Sequence, residues 1–563
     1  MLYDLKLALT VSGVGCFSTV PAPNLSFHQM LDHLREHPWD DYMHKYLLEQ
    51  MAGHRTRKVE KLLDQALGQD PLLTALLYEV CLTHDRYAQF LPRFVGQDPR
   101  ALSVHSPLIH LRSRSLKDQE LHASWNAIFN DNIVDHLPLP RPDQTGLAPP
   151  LPPEVLLASR PESVSVREIF SGLKQEGLPG PKPRVPLTET IERAKGVLEN
   201  IGVLIGPMMQ HKSSLSRIAR LRYWRLDVHT RVGNLDNSLS GIQTSYGRGF
   251  SEDAASAACH MEVCERVSSY ASYGRKGMSG YARPYPLFHG SQEELSAQGH
   301  PVLDLAAMRL EVPSAGAKLY WLQGHRPEGR EQSPVLVPAQ FVTLFCNLDE
   351  PSLTSGLSST GLGAGNTMNE AKVSALCEVL ERDCEAVTPY DSARVFEIET
   401  EDPDVSRLLG DLREGGVHVR FLDLTQDLGI PCYKGFVVGV HGDVNKGTGC
   451  GLSGQRALIS ALTEIPYPFP GPPTRAFEDT VQTRRLEDLP DYSTGSAKGD
   501  LMVLENTLLA NGFRPAYVDL TRKDLGIPVT RAIVPGLEFM TDLDHFSRVS
   551  PRLFANYQAL FGK

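Results

Sequence analysis

Two stretches of this sequence repeat one another at residue types that can do chemistry. GRGFSEDAASAACHMEVCER (residues 247–266) and GAGNTMNEAKVSALCEVLER (residues 363–382) align without gaps and share two glycines, an alanine and a closing E-V-x-E-R. Each reads as a glycine turn that enters a helix through a capping residue, Ser251 or Thr367. On a helix, residues three or four apart share a face, so Glu262 and Glu265 lie together with Arg266 one turn from Glu262. Glu378, Glu381 and Arg382 repeat the pattern, and Glu370 lies two turns before Glu378 on nearly the same stripe. Carboxylates crowded in this way repel, and without a cation some stay protonated. Hard oxygen ligands of this kind suit Mg2+, which bridges a few carboxylates and substrate phosphates. The glycine-led helix starts offer backbone donors to those phosphates. A single Glu-x-x-Glu-Arg reads most simply as a solvated face. Two copies on helices that also carry core positions point to a paired acidic metal–nucleotide site.

Other chemistries find less support. GLGAGNT has G-x-G-x-G spacing and no acidic residue closing a βαβ unit, so it is no dinucleotide fingerprint. No Walker-type Gly-Lys-Ser/Thr occurs, so ATP would be held without a P-loop. Cys259, His260 and Cys264 could be imagined as zinc ligands, but they lack a second ligand pair and read as buried thiols with a packing or hydrogen-bonding histidine. The nine cysteines contain no Cys-x-x-Cys pair and suit reduced thiols better than a disulfide framework. No Ser-His-Asp or Cys-His arrangement stands out.

Around these motifs the elements fall into three regions. Residues 1–136 form a mainly helical N-terminal domain: MLYDLKLALTVSGVGC reads as a first strand, and residues 26–136 then space apolar residues three and four apart. Gly68 and the Asp70-Pro71 step mark a helix stop and start. Residues 137–186 are proline-rich and read as a partly ordered linker around the short helical candidate VREIFSGLKQE. Residues 187–563 mix helix and strand, so the class is α/β (α+β) with mixed sheets and duplicated loop-helix units. There, TETIERAKGVLENIGV reads as an amphipathic helix opening on Thr188 or Thr190. YWRLDVHTRV, VLVPAQFVTLFC, VHVRFLDL, YKGFVVGVH, AYVDL and VTRAIVP read as strands.

Bulk properties frame these readings. The chain has 563 residues, 41% of them hydrophobic and 22% charged, as in a globular protein of two or three domains. A net charge of −11 and the lack of a basic, aromatic-studded patch argue against a nucleic-acid binder. No apolar run approaches the roughly 20 residues that span a bilayer, and no membrane association is expected. The N-terminus does not read as a lipoprotein signal, which leaves a cytoplasmic location as the expectation.

At these residues the sequence resembles the YcaO superfamily. SSTGLGAGNTMNEAKVSALCEVLERD is similar to the family's second acidic helix with its glycine loop, and YGRGFSEDAASAACHMEVCER to the first. AYVDLTRKDLGIPVTRAIVPGLE resembles the closing segment, so the likeness covers residues 187–538. In overall pattern it is closest to the branch associated with methylthiolation of a small-subunit ribosomal protein. The resemblance implies ATP and Mg2+ as cofactors, with Glu262, Glu265, Glu370, Glu378 and Glu381 facing the metal. It implies that Asn366 contacts the nucleotide, that Arg266 and Arg382 pair with phosphates or brace the glutamates, and that Thr190 supplies a hydroxyl. Lys182 and Arg184 compete for a basic role nearby. It further implies activation of a peptide or protein backbone amide for heterocyclisation or thioamidation, or an accessory role beside a partner modifying enzyme, and a homodimer. The sequence departs from the family at ALISALTEIPYPF, which keeps Glu464 but has Ser460 and Tyr467-Pro468-Phe469 at other motif places. Its end, RLFANYQALFGK, differs from the proline-rich tail of the azoline-forming branch. These departures leave a non-catalytic module binding a leader peptide or partner protein as the alternative.

Overall fold

The computed structural model describes residues 1–8, 16–158, 163–314, 316–329, 331–356, 358–539 and 543–562. Among them the strands build three sheets of seven, six and five strands. The first carries the long hairpin Arg220–Val232 and Leu235–Gly247, flanked by the N-terminal strand Leu2–Ala8, which pairs parallel to Leu235–Gly247. The second joins Leu319–Glu328, Ala516–Asp519, Val529–Ile533 and the short Leu362–Ala364. The third joins Val444–Cys450, Cys432–Val438, Arg420–Asp423, Val395–Glu399 and Gln482–Arg485.

The helices expected after the first strand are present, and their ends follow the capping chemistry of the sequence. Gly68 takes φ +76° after the helix Thr56–Ala66. The Asp70 side chain then accepts the Leu73 N–H at 3.1 Å to open Pro71–Thr83, with proline at the first position, where its missing N–H costs nothing. Leu47 and Leu76 of these helices belong to the same apolar core as Trp224 and Leu239 of the hairpin.

That core contains one polar knot. Glu79 accepts from His44 at 2.6 Å and from Ser106 at 2.7 Å, and all three side chains are fully buried. Burial alone pushes a carboxyl up, but His44 and His110 beside Glu79 hold it down at about 2. Its folded value lies below the unfolded one, so its contribution is present above pH about 4.5 and is lost as pH falls towards 2. Glu79→Ala strands two buried polar groups and is expected to cost about 3–5 kcal/mol in denaturant unfolding. An unchanged midpoint would show that the knot stabilises nothing.

The proline-rich region is anchored at its helical candidate. VREIFSGLKQE forms the helix Val166–Glu176, with Ser165 and Glu168 in a reciprocal capping box. Val166 is buried and donates to the Leu428 carbonyl at 2.7 Å, while the Asn511 amide holds both the N–H and the C=O of Val164. Far along the chain, Pro551–Leu560 packs Phe554 and Tyr557 on Trp125, with ring centroids 5.0 and 5.5 Å away.

Two expectations are corrected. VLVPAQFVTLFC is a strand only to Pro338, after which Ala339–Phe341 is a 3-10 turn; proline removes the donor that would continue the ladder. The helix expected to open on Thr188 or Thr190 begins earlier, at Leu187–Asn200, with Pro186 as its cap. Thr190 therefore lies within the first turn, where its hydroxyl donates to the Pro186 carbonyl at 3.1 Å. Among the described residues, no helix is long and apolar enough to cross a membrane.

Candidate functional site

Each sheet contributes one strand that runs through a Gly-x-Gly turn into a helix. The Leu235–Gly247 strand leads to the first motif helix, Glu252–Ser269, and Leu362–Ala364 to the second, Met368–Val387. Val444–Cys450 leads to a third, Gly454–Glu464. The first glycine of each unit is fixed by close approach. A Cβ at Gly247 would meet the Ala255 carbonyl oxygen at 2.0 Å, at Gly363 the Ala371 oxygen at 2.3 Å, and at Gly449 the Ala457 oxygen at 2.1 Å. In all three the clash lies at the same offset along the chain, so the duplication in the sequence is a triplication in the fold. GCGLSGQRALISALTE (449–464) carries the pattern in its glycines, Ala457, Ala461 and Glu464, which aligns with Glu262 and Glu378. Tyr467 and Pro468 stand where the other copies have the second glutamate and the arginine. Gly363→Ala is expected to push the second motif helix off its strand and cut Mg-ATP affinity roughly tenfold or more, about 1.4 kcal/mol. Titration calorimetry on a folded variant with unchanged affinity would show that this close approach does not position the site.

The copied capping residues behave as read: Ser251 accepts from Ala254 N at 3.1 Å and Thr367 from Glu370 N at 3.3 Å. The expected supply of free donors is corrected at the second helix start. The Gly365 N–H goes to the Pro528 carbonyl at 3.0 Å and the Asn366 N–H to the Glu370 carboxylate at 2.8 Å. A cross-strand bond and local turn closure consume these donors before any ligand arrives.

Further along, the helices bring their carboxylates together. Glu265 and Glu378 each act on the other helix's charges, Glu381 feels Glu464, and Glu464 feels Glu262. Arginines thread the cluster: Arg266 lies 3.6 Å from Glu262 and 3.4 Å from Glu265, Arg382 2.9 Å from Glu381, and Arg248 3.2 Å from Glu464. Burial pushes the Glu265 carboxyl up to about 8, with Arg266 opposing and Glu378 and Glu262 adding to the rise. Burial also raises Glu378 against Arg266, Arg382 and Arg531. Glu381 is raised by burial and by Glu464, against Arg382. Glu464 is raised by burial against Arg248, with Glu262 adding to the rise. The arginine charges do not outweigh burial and mutual repulsion, so the cluster favours an added cation.

Glu370 lies elsewhere. Its carboxylate closes the helix start, eight residues before Glu378 and roughly 12 Å away along the helix. There the Asn366 amide donates to the Thr190 hydroxyl at 2.9 Å, while the buried Asn366 Oδ1 has no partner among the described residues. Of the two basic candidates, the Arg184 charge reaches Cys377 of the second motif helix. Sequence reasoning missed Arg531, on the strand Val529–Ile533. It is 2% exposed and donates to the Ser358 carbonyl at 2.9 Å, while its Nε and Nη1 have no partner among the described residues. An apolar-looking strand gave no signal for it.

Cys259 and Cys264 are buried, the Cys259 thiol donates to the Ser245 carbonyl, and His260 Nδ1 lies 2.8 Å from the Ser256 carbonyl oxygen. Among the described residues, no three His, Cys, Asp or Glu side chains are grouped closely enough to hold a metal ion unaided. Mg2+ takes one or two carboxylates and completes its shell with phosphate oxygens and water. The hard oxygen donors and the raised carboxyls both suit the ion.

The sequence model of the family described as YcaO cyclodehydratase, ATP- and Mg2+-binding, matches residues 246–466 and 469–538, more than half of the chain. The chain belongs to the YcaO family. Its cofactors are therefore ATP and Mg2+, and the matched region contains all three motif helices. An uncharacterized protein of Methanothermobacter thermautotrophicus is 32% identical over 273 residues, 41% of this chain and 69% of that one. An uncharacterized protein in the tfuA 3' region of Rhizobium leguminosarum bv. trifolii is 27% identical over 236 residues, and this YcaO chain spans 53% of its length. Among solved structures, a heterocyclase in complex with substrate and cofactor has a TM-score of 0.48 at 18% identity, covering 65% of this chain and 55% of that one. YcaO from Methanopyrus kandleri bound with AMPPCP and Mg2+ has a TM-score of 0.45 at 22% identity, covering 63% and 91%.

Proposed function

We propose that this YcaO protein uses Mg-ATP to activate a backbone amide of a peptide or protein. The observation that carries the reading is the convergence on one locus of Glu262 with the raised carboxyls of Glu265, Glu378, Glu381 and Glu464, threaded by arginines. In this reading the nucleoside end lies at Thr190, Asn366 and Glu370, where Asn366 Oδ1 is a free acceptor. Arg266, Arg382 and the free donors of Arg531 would hold the phosphates. The glutamates would hold Mg2+, which when bound would supply charge neutralisation for the transferring group.

An amide carbonyl is a poor electrophile and its oxygen a poor leaving group. A nucleophile adds to the carbonyl carbon, and the resulting oxyanion attacks the γ-phosphorus, releasing ADP. The carbon–oxygen bond then breaks, and the former amide oxygen departs in phosphate. A side-chain Cys, Ser or Thr as nucleophile gives an azoline, and a sulfide source gives a thioamide. The chain's own part is to position the phosphates and hold the arginines where charge develops.

An amide labelled with 18O tests this. The reading requires the label to appear in the phosphate produced; phosphate formed without it rules the amide out as the group activated. The third motif favours a second reading. With Tyr467 and Pro468 in place of the second Glu and Arg, the chain would bind a leader peptide or partner protein without turnover. Peptide-dependent ATP consumption eliminates that reading.

A further inference from the structure

Behind the carboxylate cluster, the second motif helix faces a sheet surface that carries unused positive charge. Lys434 on Cys432–Val438 pairs in register with Thr448 of Val444–Cys450, and Lys446 with Phe436. Side chains two apart on a strand share a face, so Lys446 and Thr448 lie on one side. The Thr448 hydroxyl donates to Glu385 of the second motif helix, which identifies that side as the one facing the helix. Lys434 is 1% exposed, and its charge and that of Lys446 oppose each other.

Lys434, Lys446 and Arg382 all draw on Glu385 here. Glu385 is the main counter-charge for both lysines, yet it is also held by Arg382 and Thr448. Asp135 adds to the balance at Lys446. Burial pushes Lys434 down to about 7, with Lys446 adding, and burial lowers Lys446 as well. Beside them opens a cavity of about 340 Å³, lined by Arg382, Glu385 and Lys446 and walled by Ile133, Val134 and Leu543. Asp544, at its rim, is committed to the Phe546 and Ser547 backbone N–H groups at 2.8 and 2.9 Å. Arg382 joins this cavity to the carboxylate cluster, since its guanidinium also lies 2.9 Å from Glu381.

We propose that this cavity is a subsite for a carboxylate of the peptide substrate, with Lys446 as its lining cation and the buried Lys434 behind it. The apolar wall chooses the occupant. It offers nothing to a hydrated inorganic anion, whereas it buries the carbon chain that carries an organic carboxylate. The identity of the ligand rests on the amide-activation reading, and the geometry places its anionic group one arginine away from the glutamates.

Titration calorimetry on the full chain tests the subsite, with N-acetyl-leucylglycine, its C-terminal amide and inorganic phosphate as probes and Mg-ATP titrated alongside. The free acid is expected to bind roughly tenfold or more tighter than the amide, about 1.4 kcal/mol. Lys446→Met and Lys434→Met should each erase the difference while the chain stays folded by its melting curve. Equal binding of acid and amide, binding of neither, or a preference that survives both substitutions overturns the proposal. Phosphate competing as well as the acid also overturns it, assigning the cavity to a bare oxyanion. Loss of Mg-ATP binding in the unaltered chain defeats the nucleotide reading instead, and the two failures are read separately.

Discussion

Glu381→Gln raises the melting temperature of the ligand-free protein and removes most of the further rise that Mg-ATP produces. The Glu381 carboxyl is pushed well above the ordinary range by burial, with Glu464, Glu385 and Glu378 adding and only Arg382 opposing. At neutral pH the ligand-free protein either holds a costly charge there or takes up a proton. Glutamine keeps the shape and removes that cost, so stability rises by a few degrees, on the order of 2–4 °C per kcal/mol for a large domain. Ligand stabilisation follows mass action, about 2.7 kcal/mol when Mg-ATP stands at a hundred times its Kd, and it shrinks as affinity falls. A cluster that stabilised the fold through ion pairs alone would give the opposite first result: a lower melting temperature without ligand. Functional sites are commonly kept at such a cost to stability.

The second large effect is on pH. Glu265, Glu378, Glu381 and Glu464 all have folded values above their unfolded ones, so in the intervening range the folded protein binds more protons than the unfolded chain. The contribution of this cluster to stability without ligand therefore falls as pH rises from about 4.5 to about 8, the folded value of Glu265. Below that window the sign reverses, because Glu79 loses its contribution as pH falls towards 2. Mg-ATP supplies the missing cation, so binding near neutral pH releases protons and flattens the upper limb. Melting curves across pH, with and without Mg-ATP, and binding heats in buffers of different ionisation enthalpy read both effects. A ligand-free profile between pH 5 and 8 that is the same in the native chain and in Glu381→Gln contradicts the raised carboxyls.

The sequence disclosed those parts of the fold in which spacing and chemistry coincide. Glu262, Glu265, Glu378 and Glu381 were legible because a three-residue interval on a helix fixes a shared face, and copying fixes the partner. Ser251 and Thr367 were legible as caps, and Gly68 with Asp70-Pro71 as a helix boundary, because local backbone geometry decides them. The third motif was hidden because its acidic signature is cut to Glu464, with Tyr467 and Pro468 beyond it. Its signal lay instead in the glycines and alanines that allow the strand and helix to approach. The strands Leu235–Gly247 and Val444–Cys450 were illegible for a related reason. One turns serines, a threonine and an aspartate to its outer face, the other is rich in glycine, and both depend on neighbours rather than on propensity. Arg531 could not be foreseen, since only the folded sheet shows that its side chain is buried with two donors unused. Glu370 kept the stripe that helical spacing gave it, but the turn at Asn366 claimed its carboxylate for the helix start.

The central claim is that the two intact acidic helices jointly hold one Mg-ATP. Titration calorimetry of Mg-ATP into the native chain and into Glu262→Gln/Glu381→Gln tests it most directly. The account predicts stoichiometric binding to the native chain and a loss of at least about a hundredfold in affinity, roughly 2.7 kcal/mol, in the double variant. Equal affinity in the two proteins, or no binding by the native chain, contradicts it.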